Sequence, residues 1–253
     1  EAGDYETVSD RTSTTLQEHP IDYEALVLNG FSQFYLSLEQ VDVERQSDLL
    51  MSAIVALRRA ELVGSERFEK QRHAVLGKAY FHRGQYFYDM TVRHLEKAVE
   101  LGEADSDIYE YLAVANRDLG NIDTSIRYFE LARNATPNAI YALAIGEILV
   151  ETQRFADAER YVEQARDLPG ADAVADRIDL LHGLVLRETG RYERSLSVYQ
   201  ELLARNPNSA EAHFGKGETY LEMDQRDRAR YEWREALRRD PNHIESLQRL
   251  QEY

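Results

Sequence analysis

Small residues recur along this chain at a spacing that one ordinary globular core would not impose. Gly77, Ala113, Gly146, Gly183 and Gly217 stand 36, 33, 37 and 34 residues apart. A second column, Ser125, Ala158, Ser195 and Ala229, steps by 33, 37 and 34. A third, Ala98, Ala132, Ala165, Leu202 and Ala236, steps by 34, 33, 37 and 34. Between the last two sits a large apolar residue: Leu95, Phe129, Val162, Tyr199 and Trp233. Four columns that share one variable step mark a repeated structural unit. A unit this short cannot bury its apolar side alone, so successive units must stack. Stacking also suits 253 residues, a length at which a single core stops growing.

Composition and punctuation say what the unit is made of. Thirteen Gly and five Pro are few for a chain built on tight β-turns, and the abundant Ala, Leu, Glu and Arg favour helix. Small residues let two antiparallel helices approach, and the large residue of the second helix is expected to fill the gap against the next unit. Pro137, Pro169, Pro207 and Pro241 fall just past the second helices, where a ring without an N–H stops a helix. Leu119-Gly120-Asn121, Thr189-Gly190-Arg191 and Met223-Asp224-Gln225 read as the turns inside each pair. Gly120 and Gly190 suit a left-handed cap that reverses the chain.

The columns resemble the tetratricopeptide repeat, a helix–turn–helix of about 34 residues. The last copy is the fullest, from Ala210 through Gly217, Tyr220, Ala229, Trp233 and Ala236 to Pro241. The others begin at Lys70, Ser106, Ala139 and Asp176. The usual aromatic early in the first helix survives only as Tyr109. His73, Ala142, Asp179 and His213 replace it, which is expected to weaken those copies. The resemblance implies an all-α, right-handed α-α superhelix of about five clear repeats, with a divergent N-terminal helical hairpin and a C-terminal capping helix. Residues 1–20, polar and rich in Thr and Glu, are expected to be a disordered leader or tether. Residues 21–69 form the divergent hairpin, 70–241 the five repeats and 242–253 the cap.

No site of chemistry is visible, and the chain is read as a non-enzyme with no catalytic, cofactor-binding or metal-binding residues. Cysteine is absent, which removes disulfides and thiolates. Seven His occur, at 19, 73, 82, 94, 182, 213 and 243, but no two stand at i and i+4 as a helical zinc site requires. His73 and His213 read as packed residues. The glycines are isolated, so none builds a phosphate-binding loop.

The formal charge of −16 argues against nucleic acid, whose binding is driven by Lys and Arg displacing counterions. No apolar run reaches the roughly 20 residues of a membrane span. The favoured function is a scaffold holding a protein or peptide partner with a basic or apolar segment, in the groove that first helices line in the resembled family. Repeat position places Lys78, Phe81, His82, Glu110, Arg117, Leu143, Glu147, Leu184, Arg187, Phe214, Glu218 and Leu221 on that face. Basic and aromatic residues collect toward its start and carboxylates toward its end. One variant of the family grips acidic chaperone tails through a Lys/Asn/Arg clamp. Ala74, Lys78, Glu110, Tyr111 and Val114 stand where that clamp would begin, so the resemblance stops short of that ligand. Self-association, or service as the regulatory part of a larger enzyme or of a secretion or envelope complex, are the alternatives. The lack of Cys and a polar leader without Met lean toward an exported rather than a cytoplasmic protein.

Overall fold

A computed structural model describes residues 4–253. Among the described residues every regular element is helical, and the chain divides into two compact units, Glu1–Ala135 and Thr136–Tyr253. The N-terminal unit contains α1 (Tyr5–Glu18), α2 (Tyr23–Leu38), α3 (Val43–Val63), α4 (Glu69–His82), α5 (Tyr88–Glu100), α6 (Ser106–Asp118) and α7 (Ile122–Ala135). The C-terminal unit contains α8 (Ala139–Glu151), α9 (Phe155–Arg166), α10 (Ala175–Glu188), α11 (Tyr192–Arg205), α12 (Ala210–Glu222), α13 (Arg226–Arg239) and α14 (Ile244–Glu252). Helices pair as α4/α5, α6/α7, α8/α9, α10/α11 and α12/α13, and within each unit successive pairs stack as in a solenoid. No helix among the described residues is long and apolar enough to cross a membrane.

The glycine column marks the contact that holds each pair together. A Cβ placed on Gly183 would lie 2.4 Å from the Tyr199 ring, and one on Gly217 would lie 2.4 Å from the Trp233 indole. At Gly146 the nearest atom is Val162 Cγ2 at 3.0 Å, and at Gly77 it is Leu95 Cδ2 at 2.6 Å. The large residue therefore seats on the small residue of its own hairpin, a contact that adds to the packing against the next unit suggested by the sequence. The reason is that column residues on paired helices lie at the same level of one crossing. Tyr199 does both, since a Cβ on Gly215 of the following hairpin would also be 2.4 Å from its ring. Where the second column is Ser, it adds a bond: Ser125 Oγ donates to the Ala113 carbonyl and Ser195 Oγ to the Gly183 carbonyl, each at 2.7 Å. In α2 and α3 the same contact recurs, with Leu57 over Gly30.

The turns inside the pairs share one design. Gly120 and Gly190 are left-handed at φ 80° and 74°, and Gln153 and Asp224 adopt the same region at 58° and 54°. The following N–H then reaches back five residues, as in Asn121 to Asn116 (2.8 Å) and Arg154 to Leu149 (2.7 Å), satisfying carbonyls that the helix end would leave open.

The N-terminus departs from expectation. Residues 1–20 were expected to lack structure, yet Tyr5–Glu18 form α1, capped by Asp4, whose carboxylate accepts from the Thr7 N–H at 3.0 Å. Positions 1–3 lie outside the described residues. The seam between α1 and α2 is polar. Asn29 Nδ2 donates to Thr12 Oγ1 at 3.0 Å and to Ser13 Oγ at 3.1 Å, and Gln33 Nε2 donates to Ser9 Oγ at 2.7 Å. Ser9, Thr12 and Asn29 are buried there, so the middle of the seam is made of small hydrogen-bonding residues, while Leu16 packs on the Leu26 and Val27 cluster.

Candidate functional site

In the C-terminal unit the first helices α8, α10 and α12 together border a recess of about 370 Å³. Leu180, Leu181 and Leu184 of α10 and Phe214 of α12 form its apolar lining, Tyr199 and Gly215 close its floor, and Arg177, Arg187, Glu147 and Glu211 stand around it. The helical period explains the grouping: 177, 180, 181, 184 and 187 share one face of α10. Tyr199 is buried there, and burial raises its phenol well above the ordinary value. Arg177 Nη2 donates to Glu147 Oε1 at 2.6 Å, tying α10 to α8, and Arg187 Nη2 donates to Glu188 at 2.7 Å. The result is an apolar hollow with charged edges, the form common to binding sites.

Four of the residues placed on this face by repeat position, Glu147, Leu184, Arg187 and Phe214, line that recess together. Leu221 is half-buried further along α12. Two others are corrections. Leu143 is fully buried, packed with Ala142, Val162, Ala165 and Ile178, because the incoming α10 covers it. Glu218 is also buried, and Arg249 of α14 holds it through Nε at 3.0 Å and Nη2 at 2.7 Å. Neither presents itself to a ligand. Arg177 and Glu211 were missed, although continuing the α10 face back one turn from Leu180 and Leu181 reaches Arg177.

In the N-terminal unit Lys78, Phe81 and His82 come together around Tyr111. Phe81 stacks on Tyr88 with centroids 5.1 Å apart and meets Tyr111 edge-on at 4.7 Å. His82 Nε2 lies 3.3 Å from Tyr111 Oη, and Lys78 pairs with Asp107. The rings continue through Phe34 and Tyr35 to Tyr5, which stacks on Tyr35 at 4.9 Å. Glu110 is exposed, and Arg117 pairs with Asp118 at 3.3 Å. Lys78 and Arg117 are therefore engaged within the unit.

Other polar clusters lie within and between the hairpins. Buried Asp179 is held between Arg166 (2.5 Å) and Arg205 (2.7 Å). Glu232 accepts from His213 and Lys216, each at 2.7 Å. Burial pushes its carboxyl up, but those two partners outweigh burial and hold it below the usual range. Glu159 is held down by its bonds from Arg191, and Asp176 by those from Asn206 and Arg205. Two groups bring potential metal ligands within 4.8 Å of one another: Glu61, His73 and His94, and Glu159, Glu163 and His182. Burial lowers His73, and drives His94 down to about 4, so both rings are neutral near pH 7.

Residues 180–244 match the family model described as tetratricopeptide repeat. Among solved structures, the chain is similar to YrrB, described as a TPR protein with an unusual peptide-binding site, at 18% identity and a TM-score of 0.60, over 74% of this chain and 95% of that one. It is similar also to MamA from Desulfovibrio magneticus RS-1, at 16% identity and a TM-score of 0.59, over 69% and 97%. MamA MSR-1 follows at 20% identity and a TM-score of 0.53, over 69% and 95%. No curated protein matches the sequence. At these identities the structures establish a shared fold.

Proposed function

We propose that this chain, whose residues 180–244 match the tetratricopeptide-repeat model, is a non-catalytic scaffold that holds a peptide segment in the recess of its C-terminal unit. The observation that carries this reading is the convergence of Leu180, Leu184 and Phe214 from consecutive first helices on one hollow between charged rims. YrrB, of similar fold, is described by its peptide-binding site. A volume of about 370 Å³ takes one or two large side chains, so the partner anchors by apolar residues buried in a pocket. The net charge of −16 draws basic segments and repels acidic ones. Exposed Glu211, at the rim, is positioned to meet a Lys or Arg beside that anchor.

Random-peptide display on the full chain tests this directly. Selected peptides are expected to carry a large apolar residue next to a basic one. Leu184→Asp with Phe214→Asp is expected to weaken them by about 100-fold, since a charge in the pocket loses the anchor. Glu211→Lys weakens them less and lowers the salt dependence. Both side chains are only half-buried, so circular dichroism should stay unchanged. Peptides that bind the folded double variant as well as the parent would overturn the assignment, as would light scattering that shows the recess occupied by a second copy of the chain.

A further inference from the structure

Three hairpins set one residue of the first helix against one of the second at an equivalent level. In α6/α7 these are Tyr109 and Tyr128, two rings stacked with centroids 6.4 Å apart. In α12/α13 they are His213 and Glu232, in hydrogen-bond contact at 2.7 Å. In α4/α5 both positions are imidazoles. His73 and His94 lie with centroids 5.1 Å apart and their Nδ1 atoms 2.9 Å from each other. Both are buried, and His94 Nε2 has no hydrogen-bond partner.

The preceding helix supplies the third group. In α6/α7, Glu96 from the second helix of the hairpin before accepts from Tyr128 Oη at 2.9 Å. In α4/α5 the corresponding carboxylate is Glu61 of α3, which brings a ligand atom within 4.8 Å of one from each imidazole. Its Oε2 is fixed by Arg58 at 2.6 Å, while Oε1 has only the longer 3.5 Å contact with Arg72. The three open on a recess of about 500 Å³ whose walls include Asp89, Glu96 and Glu100 together with Arg93 and Lys97. We propose that Glu61, His73 and His94 bind one divalent transition-metal ion of the zinc type, at a site separate from the peptide recess.

Two imidazole nitrogens and one carboxylate oxygen, with a fourth position left to solvent, are a recognised donor set for zinc. Metal–nitrogen bonds of about 2.0–2.1 Å in a tetrahedral shell place two nitrogens roughly 3.3 Å apart. Opening the present 2.9 Å separation takes only a few tenths of an ångström. The ion would take the place of the Nδ1–Nδ1 hydrogen bond, and the ring that donates it would carry its proton on Nε2 instead. Arg58 acts as the outer partner that orients the carboxylate, a device common at metal centres. Arg72, beside Glu61, and Arg93 and Lys97 of the recess oppose a cation, and Asp89, Glu96 and Glu100 along the recess oppose them in turn. The second cluster is a poorer candidate, because Arg191 holds both oxygens of Glu159 at 2.5 and 2.6 Å.

The test is titration of the chelator-stripped full chain with Zn²⁺ in competition with a chromogenic chelator, and with Co²⁺ followed by visible absorption. One ion per chain is expected, with the thermal midpoint rising as zinc is added. His73→Phe and His94→Phe, which keep a ring in each position, are expected to weaken binding by at least about 100-fold. Glu61→Gln, at a half-buried position, weakens it by about 10-fold and reports even where a ring variant fails to fold. His182→Phe leaves stoichiometry and affinity unchanged. Absence of stoichiometric binding by the folded parent overturns the site, as does affinity equal to the parent's in Glu61→Gln and His94→Phe.

Discussion

In the N-terminal unit, the facing positions within a hairpin are filled by rings, His73 with His94 and Tyr109 with Tyr128. In the C-terminal unit the same first-helix positions hold Ala142, Asp179 and His213. Asp179 is gripped by two arginines and His213 bonds to Glu232. The repeat fixes the position on the first helix and leaves its chemistry and its partner free. Reading the loss of the usual aromatic as simple weakening therefore misjudges Asp179. It exchanges ring packing for charge-assisted bonds to Arg166 and Arg205, whose side chains remain 40% and 49% exposed. A buried carboxylate so paired brings specificity of place more than net stability.

The largest effect that would break this comparison comes from Trp233→Ala. If ions held the C-terminal unit, losing the indole would matter little. Its complete burial against Gly217 predicts a loss of about 3–5 kcal/mol, read from the urea midpoint, with hydrogen exchange rising first in α12 and α13.

Acidification sharpens the comparison next. The carboxyls of Glu159, Asp176 and Glu232 lie below their unfolded values. Once the pH drops under about 4.5, the ordinary glutamate value, the unfolded chain binds more protons than the folded one. Their stabilisation is present above that value and drains away as the pH falls through the folded values. Hydrogen exchange at pH 3 against pH 6 should therefore quicken in the hairpins α10/α11 and α12/α13. Glu232→Gln is expected to lower stability at pH 6 and flatten its decline toward pH 3.

A smaller change concerns the polar seam at the other end. Asn29→Ala removes the donor that Thr12 and Ser13 share and should cost about 1–3 kcal/mol. The loss should be confined to faster exchange over 5–18, with the glycine-seated hairpins unaffected. Smallest is Gln153→Gly. Gln153 takes at φ 58° the left-handed turn that Gly190 takes at 74°. Relief of that backbone should add up to about 1 kcal/mol to stability, offset in part by the entropy glycine gains on unfolding.

Much of the fold was legible because Gly183, Gly217, Tyr199 and Trp233 carry it by size, and size shows in a sequence. Helix α1 was not legible, because the buried residues of its seam, Ser9, Thr12 and Asn29, are polar and mimic a solvated segment. On the candidate site, Leu184 and Phe214 could be placed from the first-helix face. Leu143 and Glu218 could not, because their burial depends on α10 and α14 laid over them by other parts of the chain. The group of Glu61, His73 and His94 spans three helices, and a search for two histidines one turn apart on one helix has no means of finding it.

Tyr199 links two of these findings. Its ring rests on the bare backbone of Gly183 in its own hairpin and of Gly215 in the next, like a rivet through two plates. Neither plate loosens without baring the same ring, so both should open in a single step. Gly215 also belongs to the floor of the recess. A guest seated there presses on the head of that rivet, and its binding energy is felt by both hairpins at once.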